Sequence, residues 1–365
     1  MAMVTCQCQG EHRTPLDLVT SNLLPTSFTN IWTLFTVQVL DYFWLCNLEL
    51  KASAYQFYQL IRRLTSPMRP AEVVNLYHEL RRMSRLWRWM KRLKWAGYGH
   101  NQKDPLNPEP GTLANFCPAC PQVGINIPEN WKDDVNRWVS ECLCSGMENE
   151  TLQFRFVFKC IFVADGNFKA DHVRQKNSDT DIWLWDGGGM APNQAEYHRF
   201  LQAAIERLTV GTFPDGSHCC SCCLAQCRSD FYPHFQKAPC KNKFLAIMNA
   251  FLASKACDRT GCAAIACAQH GCYVPNALVD LFCGEQQKNI DFAFLQALKI
   301  TRVDPQQGVM LIYNIVCQYI IYLWERIGAH LPAGLMINQA IGLLYVHGHK
   351  DECFFRYLSS QGLAS

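Results

Sequence analysis

The chain opens MAMVTCQCQG, without the basic stretch and following apolar run of a secretory signal, so a reducing compartment is expected and disulfides are not. A charge surplus is missing as well. Lys and Arg exceed Asp and Glu by only three, so net charge points to no polyanionic partner, and any such partner must be met by a local basic patch. Charged residues make up 18% of the chain against 49% hydrophobic, which excludes a disordered polypeptide and leaves apolar material for one large core or two smaller ones. No long, clean apolar run is present. Residues 308–324 (GVMLIYNIVCQYIIYLW) come nearest, but the run is short for a span and carries Asn314 and Gln318 in its middle. It reads as a buried strand passing into a helix, and no membrane partner is expected.

What the chain has in excess is cysteine. There are 21, an odd count that does not suit a closed disulfide framework and leaves metal ligation or buried reduced thiols. Cys6 and Cys8 form a CxC pair without neighbours, too few ligands for a zinc site alone, and resemble the tail of a cluster whose beginning is missing. Cys117 and Cys120 form a lone CxxC, either half of a zinc site or part of a redox motif, with no second CxxC at the usual spacing. Residues 217–283 hold eleven more cysteines, beginning HCCSCC.

Hydrophobic spacing predicts helices over 40–98. Within 79–95 (ELRRMSRLWRWMKRLKW), Arg81, Arg85, Arg88 and Arg92 fall on one stripe, and Met83, Leu86, Trp87, Met90 and Leu93 on the opposite face. The stripe is either an ordinary solvated face or a surface for DNA phosphates, which clustered guanidinium groups contact without reading sequence. Residues 97–121, rich in Pro, Gly and Asn, read as a linker. Residues 154–164 (FRFVFKCIFVA) read as a buried strand ending in Asp165-Gly166, either an acid aimed into a site or a turn-forming pair. A helix is expected over 193–208, a strand–turn–strand over 260–274 with its turn at His270-Gly271, and a helix over 289–299. A strand over 309–315, with Asn314 near its end, and a helix over 316–327 follow. Strand, long insert, hairpin, helix, strand, helix is the order of a ribonuclease-H-like α/β core, whose catalytic acids sit on the first and fourth strands and a later helix.

Longer stretches then carry a resemblance. FVADGNFKADHV, ACAQHGCYVPNALVDLFCGEQQKNIDF and LIYNIVCQY, with the upstream LLPTSFTNIWTLFTVQVLDYF and CPACPQVGINIP, resemble the Kyakuja–Dileera–Zisupton (KDZ) transposases of fungal genomes. Members often carry an N-terminal CxC2-like cysteine cluster, of which Cys6 and Cys8 look like a remnant. The resemblance implies a nuclear DDE transposase, in which three carboxylates hold two Mg²⁺ ions for DNA cleavage and strand transfer. Asp165 matches the first acid, in a DGNF motif. The second belongs in a motif resembling YDIxCQ, where this chain has Tyr313-Asn314-Ile315-Val316-Cys317-Gln318. The third is expected beyond the stretch that resembles VHGHKDECFFRYLSS, and the chain ends at Ser365 before such a helix. The resemblance therefore implies a truncated transposase fragment without competent chemistry, or a non-catalytic, DNA-binding, domesticated derivative. Asp280, Glu285 and Asp291 lie in a matched stretch and either flank the site or serve turns and caps.

Cys267 and His270 form a CxxH pair in the same stretch, and Cys240 sits where the family tends to place an upstream cysteine. Together they suggest a zinc knot, with Cys219, Cys220, Cys262 or Cys272 as fourth ligand, the alternative being reduced thiols in a hairpin. The expected organisation is a cysteine-cluster remnant (1–30), a helical region bearing the basic helix (31–100), a linker with CPAC (101–150), and the nuclease-like core (151–365) with a cysteine-rich insert and hairpin at 210–283.

Overall fold

The structure is a computed structural model that describes residues 14–100, 104–133, 159–170, 172–173, 186–204, 210–212, 218–220, 257–282, 285–342 and 345. The chain divides into two compact units, one of residues 1–105 with 180–184 and one of residues 106–179 with 185–365.

The first unit runs α1 (Thr14–Thr20), β1 (Leu23–Pro25), β2 (Leu34–Thr36), α2 (Val37–Glu49), α3 (Ala54–Thr65) and α4 (Tyr77–Trp95). Its helices begin where side chains can satisfy the first backbone N–H groups. The Thr36 hydroxyl accepts from Val39 N at the start of α2, and Ser53 and Gln56 form a reciprocal capping box on α3. Leu40 and Phe43 of α2, Phe57 and Tyr58 of α3, and Leu80 and Met83 of α4 make the core. Leu86, Trp87 and Met90 pack along its margin, so α4 buries the face its periodicity marks.

The second unit contains β3 (Cys160–Asn167), β4 (His172–Val173), α5 (Gln194–Ala203), β5 (Val210–Thr212), β6 (His218–Cys220), β7 (Cys257–Arg259), β8 (Gly261–Cys267), β9 (Tyr273–Leu281), α6 (Gln287–Thr301), β10 (Val309–Tyr313), α7 (Val316–Tyr319), α8 (Leu323–Ile327) and β11 (Ile337–Ala340). Five strands form a mixed sheet in the order β11-β10-β3-β8-β9. β3 pairs parallel with β10 and antiparallel with β8; β10 pairs parallel with β11, and β8 antiparallel with β9. The period-two rule sorts the side chains. Cys160, Phe162 and Ala164 join Val309, Leu311 and Tyr313 in the main core with Ile290, Ala293, Phe294 and Ala297 of α6, while Ile161 and Met310 pack with Ala340 in a smaller cluster. The architecture is thus α/β.

Two sequence expectations change here. The apolar run 308–324 becomes β10, a turn, α7 and the start of α8, and among the described residues no helix is long and apolar enough to cross a membrane. The single helix expected over 316–327 is two short helices, α7 and α8, and the Tyr319 carbonyl at the end of α7 accepts from Arg326 Nη2 at 3.0 Å. The described part of the segment expected as a linker, residues 106–121, packs in the second unit, with Leu113, Ala114, Cys117 and Cys120 buried. Its turns are tied down by backbone bonds from Gly111 and Leu113 to the carbonyls of Gly187 and Gly188, 2.9 and 2.8 Å long.

Candidate active site and metal centre

Parallel pairing of β3 with β10 sets Ala164 opposite Tyr313, so the next residues are Asp165, still within β3, and Asn314, just past the end of β10. Asp165 is exposed and its Oδ1 accepts from Gly166 N at 2.9 Å. Asn314 is half-buried, and its Oδ1 is sealed from solvent without a hydrogen-bond partner among the described residues. A buried amide oxygen in that condition is costly unless something supplies a positive charge or a proton.

The three nearby acids have different surroundings. Asp291 is buried on α6 and held by Arg326, so it is a packing element of the core. Asp280 on β9 meets Arg259 Nη1 at 3.0 Å and Gln194 Nε2 at 3.4 Å; burial pushes its carboxyl up while Arg259 pulls it down. Glu285, just before α6, reaches the strand ends. Its Oε1 accepts from the Tyr313 hydroxyl at 2.6 Å, and its Oε2 stands 2.8 Å from where a Cβ on Gly166 would be. Burial first, then the negative charges of Glu285 and Asp165, raises the Tyr313 phenol well above its ordinary range, so it stays a proton donor.

At β3's other end lies a second constellation. Cys117, Cys120, Cys267 and His270 bring one ligand atom each to within 4.8 Å of all the others. Cys120 Sγ is 3.1 Å from Cys267 Sγ, and His270 Nδ1 is 3.3 Å from Cys117 Sγ and 3.5 Å from Cys267 Sγ. The three cysteines are buried and the histidine is exposed. Two tight turns present them. In one, Cys120 N bonds the Cys117 carbonyl at 3.3 Å, and Asn126 Nδ2 ties the carbonyls of Pro118 and Cys120 at 2.8 and 2.7 Å. In the other, Gly271 N bonds the Cys267 carbonyl at 2.9 Å, with Gly271 at a left-handed φ of 66° that a side chain would disfavour. The first turn is anchored to the sheet, for Cys160 Sγ meets the Pro121 carbonyl at 3.3 Å.

The thiols differ in acidity. Burial pushes Cys117 up, but N–H bonds from Ala119 and Cys120 outweigh it and the net shift is downward. Burial and the neighbouring Cys267 drive Cys120 strongly upward, and burial raises Cys160 to about 12. Three close sulfurs with no cation between them resist becoming thiolates together. A four-coordinate soft-donor ion removes that conflict, with metal–sulfur bonds of about 2.3 Å and sulfurs then about 3.8 Å apart. The Cys3His set can therefore hold a metal ion.

Of the residues read from sequence as metal ligands, Cys267 and His270 meet in this cluster, while Cys240 lies outside the described residues. Cys272 packs beside the cluster and Cys262 sits on β8 opposite Asp280. The completing pair, Cys117 and Cys120, was visible as a CxxC, but 147 residues separate Cys120 from Cys267 and no spacing rule joins them. On α4, Arg81 and Arg92 are exposed and Arg85 half-exposed. Arg88 departs from the expected solvent stripe. Its Nη2 donates to Asn47 Oδ1 at 3.0 Å, its guanidinium lies 5.6 Å from the Phe43 ring centre, and burial lowers its pKa.

No curated protein and no solved structure matches the chain. Two family models do. A CxC2 like cysteine cluster associated with KDZ transposases matches residues 1–69, further than the 1–30 read as its remnant. The Kyakuja-Dileera-Zisupton transposase model matches residues 158–361, more than half of the chain, taking in Asp165, Glu285, Asn314 and two of the four metal-cluster residues. The chain belongs to the Kyakuja-Dileera-Zisupton transposase family.

Proposed function

We propose that this transposase-derived protein binds DNA in the nucleus with a ribonuclease-H-like core whose strand-transfer chemistry has been lost at Asn314. The observation that carries the reading is the β3–β10 register, in which Asp165 of β3 and Asn314, just past the end of β10, each follow the paired Ala164 and Tyr313. The strand order and mixed directions of the sheet support the core assignment. A DDE site of this class employs two divalent cations, which stabilise charge on the attacking and leaving oxygens of a phosphodiester. Asp165 offers a carboxylate suited to a hard cation. Asn314 offers an amide oxygen of similar size but no charge, and two dications held by one negative charge fewer repel each other with less relief. The orphaned Asn314 oxygen fits a cation-facing position; its neutrality is what removes the activity.

The Cys3His cluster is read as a structural zinc centre. A closed set of four ligands, three buried thiols and one exposed imidazole, leaves no open position for substrate, which suits stability and not catalysis.

Nicking of supercoiled plasmid in Mg²⁺ or Mn²⁺ tests the reading. The wild-type chain is expected to leave the plasmid intact, and Asn314→Asp, in a version that carries the family's third acid, to introduce metal-dependent nicks that Asp165→Asn abolishes. Wild-type nicking that depends on Asp165 would overturn the inactivity, and no gain from a folded Asn314→Asp variant would overturn the role given to Asn314.

A second reading, DNA binding with no ancestral chemistry, draws on the exposure of Arg81, Arg85 and Arg92 on α4. Phosphate contacts release counterions, so retention on duplex DNA should fall steeply from about 50 to 200 mM salt. Salt-independent retention, or none, would exclude it.

A further inference from the structure

We infer that the C-terminal end of α4 carries a slot for one unstacked base of single-stranded DNA, with Trp95 as the stacking platform and Lys94 as the contact to the flanking phosphate. The inference rests on the reading of the protein as DNA-binding, and adds to the arginines of α4 a site of different chemistry.

Helical spacing builds the slot. Trp87, Lys91 and Trp95 stand at i, i+4 and i+8 of α4, with Lys94 at i+7, so all four fall along one side of the helix. Together with Asn22 and Leu23 they line a cavity of about 400 Å³ within the first unit. Small-molecule sites span about 300–1,000 Å³, so the cavity has room for a flat heterocycle.

The lining side chains differ in how far they are already committed. Lys91 is taken: its Nζ lies 2.6 Å from Asp41 Oδ1 and over the rings of Trp44 and Trp87, 5.3 and 5.2 Å from their centres. Trp87 Nε1 donates to the same Asp41 oxygen at 2.8 Å, which fixes that indole as a wall. Trp95 packs against Trp44, with ring centres 5.2 Å apart and planes at 34°, yet remains 61% exposed beside the cavity. An indole backed by another ring and still open to solvent is a ready surface for a base, whatever its sequence.

Lys94 is exposed, and among the described residues no ion pair engages it. No carboxylate is among the described residues that line the cavity, so its walls do not repel a phosphate. An aromatic platform beside an uncommitted cation is the make-up of a single-strand site. Duplex DNA fits it poorly, because paired bases offer only their edges in the grooves and keep their faces stacked on neighbours.

Fluorescence polarisation of end-labelled oligonucleotides on the full, zinc-loaded chain tests the slot. A short thymidine oligonucleotide is expected to bind about fivefold or more tightly than an abasic strand of the same length and charge. Trp95→Ala is expected to erase that difference while leaving the abasic strand's affinity unchanged, and Trp95→Phe to keep most of it. Lys94→Glu is expected to weaken both strands. Trp32→Ala, at a 92% exposed indole outside the cavity, is expected to weaken neither. Near-ultraviolet circular dichroism checks the fold of each variant. Equal binding of the two strands by the wild-type chain, or equal loss on both in a folded Trp95→Ala variant, would overturn the slot. Tighter binding of a uridine RNA strand than of the thymidine strand would overturn its assignment to DNA. If the slot fails while duplex binding still depends on Arg81 and Arg92, the underlying DNA-binding reading stands; if neither strand nor duplex is retained, both fail.

Discussion

Arg326 closes on Asp291 through two parallel hydrogen bonds, Nε to Oδ2 at 2.7 Å and Nη2 to Oδ1 at 3.0 Å, with both side chains at most 2% exposed. The same guanidinium covers the Tyr319 ring at 4.9 Å, so one buried ion joins α6, α7 and α8. Asp291→Ala strands that cation in the core and is expected to cost about 3–5 kcal/mol in urea unfolding. Replacing both residues by Leu should recover most of the loss, because apolar packing substitutes well for a desolvated pair. A single-variant loss below about 1 kcal/mol would show that the pair is hydrated in solution.

The metal cluster makes a prediction that separates the geometry from the spacing. Cys117→Ser, Cys120→Ser and Cys267→Ser should each lose one equivalent of zinc relative to the wild-type chain, whereas Cys240→Ser and Cys272→Ser keep it. Cobalt substitution should give the intense thiolate absorption of a tetrahedral Cys3His site. Unchanged metal content in Cys117→Ser would remove the CPAC turn from the site.

On α4 the four arginines should divide into two classes. Arg81→Glu and Arg92→Glu are expected to weaken duplex DNA binding with little change in melting temperature. Arg88→Ala should do the reverse, since it loses the Asn47 bond and the contact over Phe43. Its expected cost is about 1–2 kcal/mol of stability. Equal effects of all four on DNA affinity would restore the single-stripe picture.

Acid stability carries a signature at Asp304. Burial pushes its carboxyl up, but Lys132, 2.8 Å away, and the N–H groups of Gln306 and Gln307 outweigh it, and the net shift is downward. A folded value below the unfolded one of about 4 means that the stabilisation is complete above that pH and disappears as pH falls through the depressed value. Lys132→Met should therefore cost about 0.2–1 kcal/mol at neutral pH and progressively less towards pH 2. A gap of equal size at both ends of that range would contradict the pairing.

Periodicity and punctuation made much of this legible. The apolar runs marked β3 and β10, the His270-Gly271 pair marked the hairpin between β8 and β9, and heptad-like spacing marked the buried face of α4. Contacts far apart in sequence were not legible. Nothing in the spacing of Cys267 and His270 names Cys117 and Cys120, and nothing in GEQQKN says that Glu285 rather than Asp280 or Asp291 reaches the end of β3. The Pro-rich composition around CPAC suggested a linker because turns look alike whether they cross solvent or cover a sheet; burial of Leu113, Cys117 and Cys120 decides between them. Arg88 was assigned outward by angle alone, and only its neighbours Asn47 and Phe43 turn it inward.

The distance along the chain between the two cysteine turns also sets a schedule. A ribosome adding about 5–20 residues per second needs on the order of ten seconds to travel the 147 positions from Cys120 to Cys267. Throughout that interval Cys117 and Cys120 exist as an unaccompanied thiol pair, open to adventitious metals or to oxidation. The cluster can therefore close only after Cys267 and His270 have been made, before β10 and β11 complete the sheet, and the nascent protein's yield should depend on the thiol and zinc status of the cell that makes it.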